Sequence, residues 1–136
     1  MKLLSEGEVF YLTLAIIEAE LTHLPSFRFQ VEVSDRGFTA SSSVWAAADD
    51  VHIFASQLRQ CQRMGRSQAL LSSMSPGELE LRVEPSDALG HFQVVYRVGR
   101  HRLNNAGRQA AAVTGGFDLD PYLLEQMVEG AELLAL

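Results

Sequence analysis

Alternation of apolar and polar positions begins near the N-terminus, where Phe10, Leu12, Leu14 and Ile16 share one parity. Residues two apart in an extended chain point to the same face, so this period predicts a strand. The intervening positions stay fairly apolar until Glu18 and Glu20, which predicts a strand covered on both sides. Leu24-Pro25-Ser26 breaks the run, and Phe27, Phe29, Val31 and Val33 then alternate with Arg28, Gln30 and Glu32 in a half-buried pattern. Ser34-Asp35-Arg36-Gly37 carries the chemistry of a tight hairpin turn, because Gly37 takes a positive φ without a steric penalty. A third strand follows from Phe38 to about Trp45, and the three predict an antiparallel meander.

The period then changes. Val51, Phe54, Ala55, Leu58 and Cys61 recur at helical spacing, with Asp49 or Asp50 placed to cap the helix and Gly65 to end it. Beyond it, Gln68 to Ser73 reads as a short strand, Ser75-Pro76-Gly77 as a turn, and Leu79, Leu81 and Val83 alternate with Glu78, Glu80, Arg82 and Glu84. Pro85 to Gly90 forms the next loop, and Phe92, Val94, Tyr96 and Val98 resume the alternation. After a polar loop around Asn104-Asn105-Ala106-Gly107, a last strand is expected over about Ala110 to Phe117. Asp120 at the N-cap and Pro121 at the first helical position open a final helix that carries Leu123, Leu124, Met127, Val128, Ala131 and Leu134.

Strands in runs joined by short turns do not fit the strict alternation of a parallel sheet. The expected fold is therefore α+β: one antiparallel sheet of about six or seven strands, with two helices packed on one face. At 136 residues and 47% hydrophobic content, the chain supports one core, and a single domain over residues 1–136 is expected.

Composition narrows the chemistry. The only cysteine, Cys61, cannot form a disulfide within the chain, and Glu6 and Glu8 precede any apolar run long enough for a secretory signal. Val9 to Ile17 is about half the length needed to cross a bilayer. A cytoplasmic protein with no membrane partner is expected. Seventeen acidic against eleven basic residues give a formal charge of −6, which disfavours nucleic acid and favours a basic partner.

Motifs for catalysis are sparse. His23, His52, His91 and His101 form no His-x-x-x-His pair, so no metal site is expected. Gly65-Arg66-Ser67 lacks the second glycine of a nucleophile elbow, and Gly115-Gly116 lacks the spacing of a phosphate loop, so no cofactor is implied. Cys61 lies on the apolar stripe of its helix, where a thiol packs rather than reacts. Asp118 and Asp120 could stand as paired carboxylates, but capping accounts for Asp120. Asp87, four residues before His91, could form a carboxylate–imidazole pair; fixing a loop is its commoner use. The basic run Arg97, Arg100, His101, Arg102 and Arg108 has no interleaved aromatics for stacking on bases. These readings point to a protein that is not an enzyme.

For binding, the alternation places Glu32, Thr39, Ser41, Ser43, Glu78, Glu80 and Arg82 on the open sheet face. Glu32, Ser41, Ser43, Glu78 and Glu80 are the expected partner-binding positions, together with Trp45 at the end of the row, either as an anchor or packed at the sheet-to-helix corner.

From Arg36 onward the order of segments resembles the WapI-type immunity proteins, bacterial proteins encoded beside polymorphic toxins. The likeness rests on Gly37-Phe38 leading to Val44-Trp45, on Phe54-Ala55-x-Gln57-Leu58-Arg59, and on Ala69-Leu70-Leu71-Ser72-Ser73. Pro76-Gly77-Glu78-Leu79-Glu80-Leu81, Gly90-His91-Phe92-x-Val94 and Gly116-Phe117-x-Leu119-Asp120-Pro121 extend it over about three quarters of the chain. The resemblance implies a protein that binds and neutralises a cognate toxin domain, with no catalytic residues to carry over. Two other readings stay open: a small ligand-binding domain or enzyme with a pocket near His91, Asp87 and the basic loop, and a structural protein that self-associates through a sheet edge. The sequence gives no oligomeric state.

Overall fold

The computed structural model describes residues 1–4, 10–104 and 107–136, with the backbone alone at 102–104 and 107–110. Ten elements follow one another: β1 (Lys2–Leu4), β2 (Phe10–Glu20), β3 (Ser26–Asp35), β4 (Phe38–Ala47), α1 (Ala48–Met64), β5 (Ala69–Ser72), β6 (Leu79–Pro85), β7 (Phe92–Asn104), β8 (Gly107–Leu119) and α2 (Pro121–Leu134).

The strands form two antiparallel four-stranded sheets, in the orders β1-β2-β3-β4 and β5-β6-β7-β8. The α+β class and the antiparallel pairing agree with the sequence; the single sheet of six or seven strands does not. The reason lies in α1. It carries the chain from β4 to β5 and packs against β3, β4 and β5, so the two strands are joined through a helix rather than by a hairpin turn. Alternation fixes each strand's faces but carries no information on which strands pair across an intervening helix.

The turn into β4 is a two-residue loop with Asp35 opposite Phe38. Arg36 has φ 49° and Gly37 φ 91°, the double positive φ that matches the twist of paired strands. At α1 the expected aspartate cap is absent. Ala47 is the N-cap with no side-chain bond, and Asp49 and Asp50 sit in the first turn, where their charge favours the positive end of the helix dipole. Because β4 runs straight into α1, the Pro25 carbonyl accepts from Ala48 N at 2.9 Å. Gly65 ends the helix in the left-handed region, as read from the sequence.

Other departures have similar causes. β1 has three residues, too few to show a period. β2 is buried at Phe10, Leu12 and Leu14, but from Ala15 to Glu20 it is exposed, with a bulge between Ile16 and Glu18; the expected cover on both sides is not there. β7 runs on to Asn104 and β8 begins at Gly107, so Arg97, Arg100 and His101 belong to a strand rather than a loop. The tip expected at Asn105 and Ala106 lies outside the described residues, as do the side chains of Arg102 and Arg108.

The two sheets share one core. Phe10 of the first sheet stacks on Phe117 of the second with ring centroids 3.7 Å apart. Close by, Tyr96 Oη donates to Asp35 Oδ2 at 2.5 Å. α1 and α2 run antiparallel: Arg59 of α1 pairs with Glu132 of α2 at 2.6 Å, and Gln62, further along α1, bonds to the earlier Glu125. α2 also touches β1 and β8. Phe54, Leu58, Met127 and Val128 face the sheets, fully buried beside Leu12, Phe29, Leu71 and Leu81. No helix among the described residues is long and apolar enough to cross a membrane.

Candidate functional site

A deep concavity lies where four segments meet. The C-terminal turn of α1 supplies Cys61 and Gln62; the β6–β7 loop supplies Ser86, Asp87, Gly90 and His91. The end of β8 and the start of α2 add Asp118, Asp120, Pro121, Leu124 and Glu125. The cleft has a volume of about 820 Å³, within the range of small-molecule and side-chain binding sites. Among the described side chains, four carboxylates line it, from Asp87, Asp118, Asp120 and Glu125, and no lysine or arginine does.

Three of the four acids are held, each in its own way. Asp87 Oδ1 accepts from Leu89 N at 2.7 Å, its Oδ2 lies 2.5 Å from His91 Nδ1, and Ser86 N donates to the His91 carbonyl at 2.8 Å. The loop thus folds back on its own aspartate, as an Asx turn does. The bond to His91 holds the Asp87 carboxyl below the ordinary carboxylate value, helped by the Leu89 amide. Asp120 caps α2 by accepting from Leu123 N at 2.7 Å. Glu125 accepts from Gln62, and Gln62 in turn accepts from Arg59 at 2.7 Å, which ties the acidic wall to both helices.

The cleft lacks an armed nucleophile. Cys61 is fully buried, and desolvation pushes its thiol up from the ordinary value, which disfavours the reactive thiolate. Among the described residues, no hydrogen bond joins His91 to the Ser86 hydroxyl or the Cys61 thiol, and no three His, Cys, Asp or Glu side chains assemble into a possible metal site. The site presents negative charge to a visitor, with a histidine whose Nδ1 is already engaged.

The sequence brought Asp87 and His91 together correctly, and read Asp120 and Cys61 as cap and core. It erred on the basic loop as part of this pocket. Arg100 follows His91 by nine strand residues, about 30 Å at ~3.3 Å per residue, and none of the described side chains of the basic run, Arg97, Arg100 and His101, lines the cleft. Arg97 Nε instead donates to the Gly77 carbonyl at 3.1 Å, and His101 Nε2 meets Pro76 O at 2.7 Å; both brace the β5–β6 turn. Asp118 and Glu125 as wall residues were not foreseen, because the signal that joins them is the topology.

The expected partner-binding residues divide between the sheets. Glu32, Ser41 and Ser43 are exposed on the outer face of the first sheet, where Gln30 donates to Ser41 Oγ at 2.8 Å and accepts from Ser43 Oγ at 3.0 Å. Trp45 is half-buried just before α1, and its carbonyl accepts from Met74 N at 2.7 Å, in keeping with a corner position. Glu80 lies in β6 of the second sheet, 3.9 Å from Arg82. Glu78 precedes that strand, its carbonyl accepting from Gly99 N at 2.8 Å. A single open face holding all six is therefore replaced by two.

No family model matches the chain, and neither a curated protein nor a solved structure matches it.

Proposed function

We propose that the chain is a binding protein of the immunity type, which neutralises a cognate toxin domain by engaging a basic group of that partner in the acid-lined cleft. The observation that carries this reading is the lining itself: four carboxylates and, among the described side chains, no lysine or arginine around about 820 Å³. A cleft of one sign concentrates field lines and draws in an oppositely charged partner. The order of sequence segments shared with the WapI-type immunity proteins supports the class of partner. The formal charge of −6 supports its sign.

The test is co-expression and pull-down with the protein encoded immediately upstream, scored for a complex and for rescue of growth. The double variant Asp87→Asn, Glu125→Gln keeps the shape of the cleft and removes two charges. Its affinity should fall at least about tenfold, mostly through slower association at low salt. A complex weakened by Glu32→Lys and indifferent to the double variant would move the interface to the outer face of the first sheet. No complex and no rescue would remove the immunity reading.

A second reading is favoured by the same cleft: a small cationic ligand, such as an organic amine, bound between Asp87, Asp118 and Glu125. Saturable binding of an amine, lost in the double variant and present without any protein partner, would put this reading first.

A further inference from the structure

We propose that the groove between the β3–β4 turn and β8 binds a small aromatic carboxylate, with the Arg36 guanidinium meeting the anion and the Phe38 side chain meeting the ring. This goes beyond the acid-lined cleft and does not depend on it.

The groove has a volume of about 450 Å³, within the range of small-molecule sites. Its base is the buried Tyr96–Asp35 pair; Arg36 and Phe38 come from the turn and the start of β4, and Val113 and Thr114 from β8. Two of these residues are not accounted for by folding. Phe38 is 72% exposed, so its ring contributes little to the core. Arg36 has φ 49° at the first central position of the two-residue turn, where glycine, asparagine and aspartate are the favoured residues. An arginine in the left-handed region is costly for the backbone, and such costs cluster where a protein binds something.

The sign of the ligand follows from which groups are already engaged. Asp35 is buried, its Oδ1 accepts from Arg36 Nη1 at 3.0 Å, and its Oδ2 accepts from Tyr96 Oη at 2.5 Å. Both of its oxygens are therefore taken. Arg36 is the converse case. Its side chain is 63% exposed, and among the described residues its guanidinium is bonded through Nη1 alone, which leaves Nε and Nη2 to donate. The bond to Asp35 fixes the guanidinium beside the groove, and a planar fork of donors matches a carboxylate. The Thr114 hydroxyl is exposed and has no partner among the described residues, so it supplies a further donor.

The remaining lining sets the body of the ligand. Phe38, Ala112 and Val113 offer apolar surface, and a phenyl ring left open to solvent favours a second ring stacked with an offset or edge-on. Asp35 balances part of the Arg36 charge, and water reaches both Arg36 and Thr114. The affinity for a single-ring acid is therefore expected to be modest, with dissociation in roughly the millimolar range.

An NMR titration of the full chain with benzoate, at constant ionic strength, tests this. Saturable shifts are expected at the amides of Arg36, Gly37, Phe38, Val113 and Thr114. Benzamide keeps the ring without the charge and acetate keeps the charge without the ring, and each should bind at least about tenfold more weakly. Arg36→Asn puts a residue suited to the turn in place of the arginine, and Phe38→Ala removes a ring that the core does not use. Both variants should hold the melting temperature and lose at least about tenfold in affinity for benzoate. Should Arg36→Asn fail to fold, Phe38→Ala and the benzamide comparison decide the matter on folded protein. Absence of saturation up to about 50 mM benzoate overturns the proposal. So do shifts confined to other residues, benzamide binding as tightly as benzoate, or a folded variant of either kind that binds benzoate as the unmodified protein does.

Discussion

Two aspartates in this molecule make contacts of the same length and serve opposite purposes. Asp35 receives the Tyr96 hydroxyl at 2.5 Å from a residue 61 positions away, and Asp87 meets His91 at 2.5 Å from four positions away. The first pair is buried and joins the two sheets; the second is exposed and closes a loop. Length alone therefore says little about what a hydrogen bond contributes. In a site shut off from water, an unmade bond leaves a polar group stranded, whereas in an open site water replaces the lost partner.

The surroundings of the two pairs reinforce the contrast. Asp35 also accepts from Arg36 at 3.0 Å, so its carboxylate serves the turn before β4 as well as the core. A Cβ at Gly115 would stand 2.5 Å from Tyr96 Oη and 3.1 Å from Asp35 Oδ2. The missing side chain on β8 is what leaves room for the pair. Around Asp87 nothing comparable is packed.

The largest effect that could break this comparison comes from Asp35. Asp35→Ala leaves the Tyr96 hydroxyl buried without an acceptor and opens a gap between the sheets, and is expected to cost about 3 kcal/mol. Chemical denaturation with an unchanged slope would measure it. A loss no larger than that of an exposed aspartate would mean that water reaches the pair.

A smaller effect sharpens it through pH. Burial, and then the bond and charge of Asp35, push the Tyr96 hydroxyl above its ordinary value of 10.0. The folded state thus keeps its proton at a pH where the unfolded chain releases it. Stability from this group is complete below pH 10.0 and declines as pH rises through the range above it. Tyr96→Phe should cost about 1.5 kcal/mol at neutral pH and flatten the alkaline decline. Thermal melts of both proteins, from neutral to strongly alkaline buffer, check the sign.

These pairs differ just as much in how legible they are. Asp87 and His91 sit one turn apart in sequence, so the short loop announces their meeting. Asp120-Pro121 announces a helix start in the same local way, and the periods of β3, β6 and α1 locate their buried faces. Asp35 and Tyr96 sit on strands of different sheets, and nothing near either residue signals the other. The cleft has the same difficulty: Asp118 and Glu125 join Asp87 only because α1, β7, β8 and α2 end at one place. The split into two sheets was hidden likewise, since Leu12, Val31, Leu81 and Val94 alternate identically whichever sheet they belong to.

The smallest expected change in stability belongs to Asp87. Its carboxyl is held below the ordinary value, first by the His91 side chain and then by the Leu89 amide, so any stabilisation is present above the unfolded value and is lost as pH falls through the folded one. The group is exposed, and water screens that contribution and substitutes for the bonds. Asp87→Asn should therefore leave the melting temperature unchanged at neutral pH and track the unmodified protein as the buffer is acidified. Affinity for a basic partner should fall in the same variant, because a charge is removed from the cleft while the fold stays intact. A drop in melting temperature as large as that of Tyr96→Phe would make the loop pair a structural clasp and leave Asp118 and Glu125 as the charges that meet the partner.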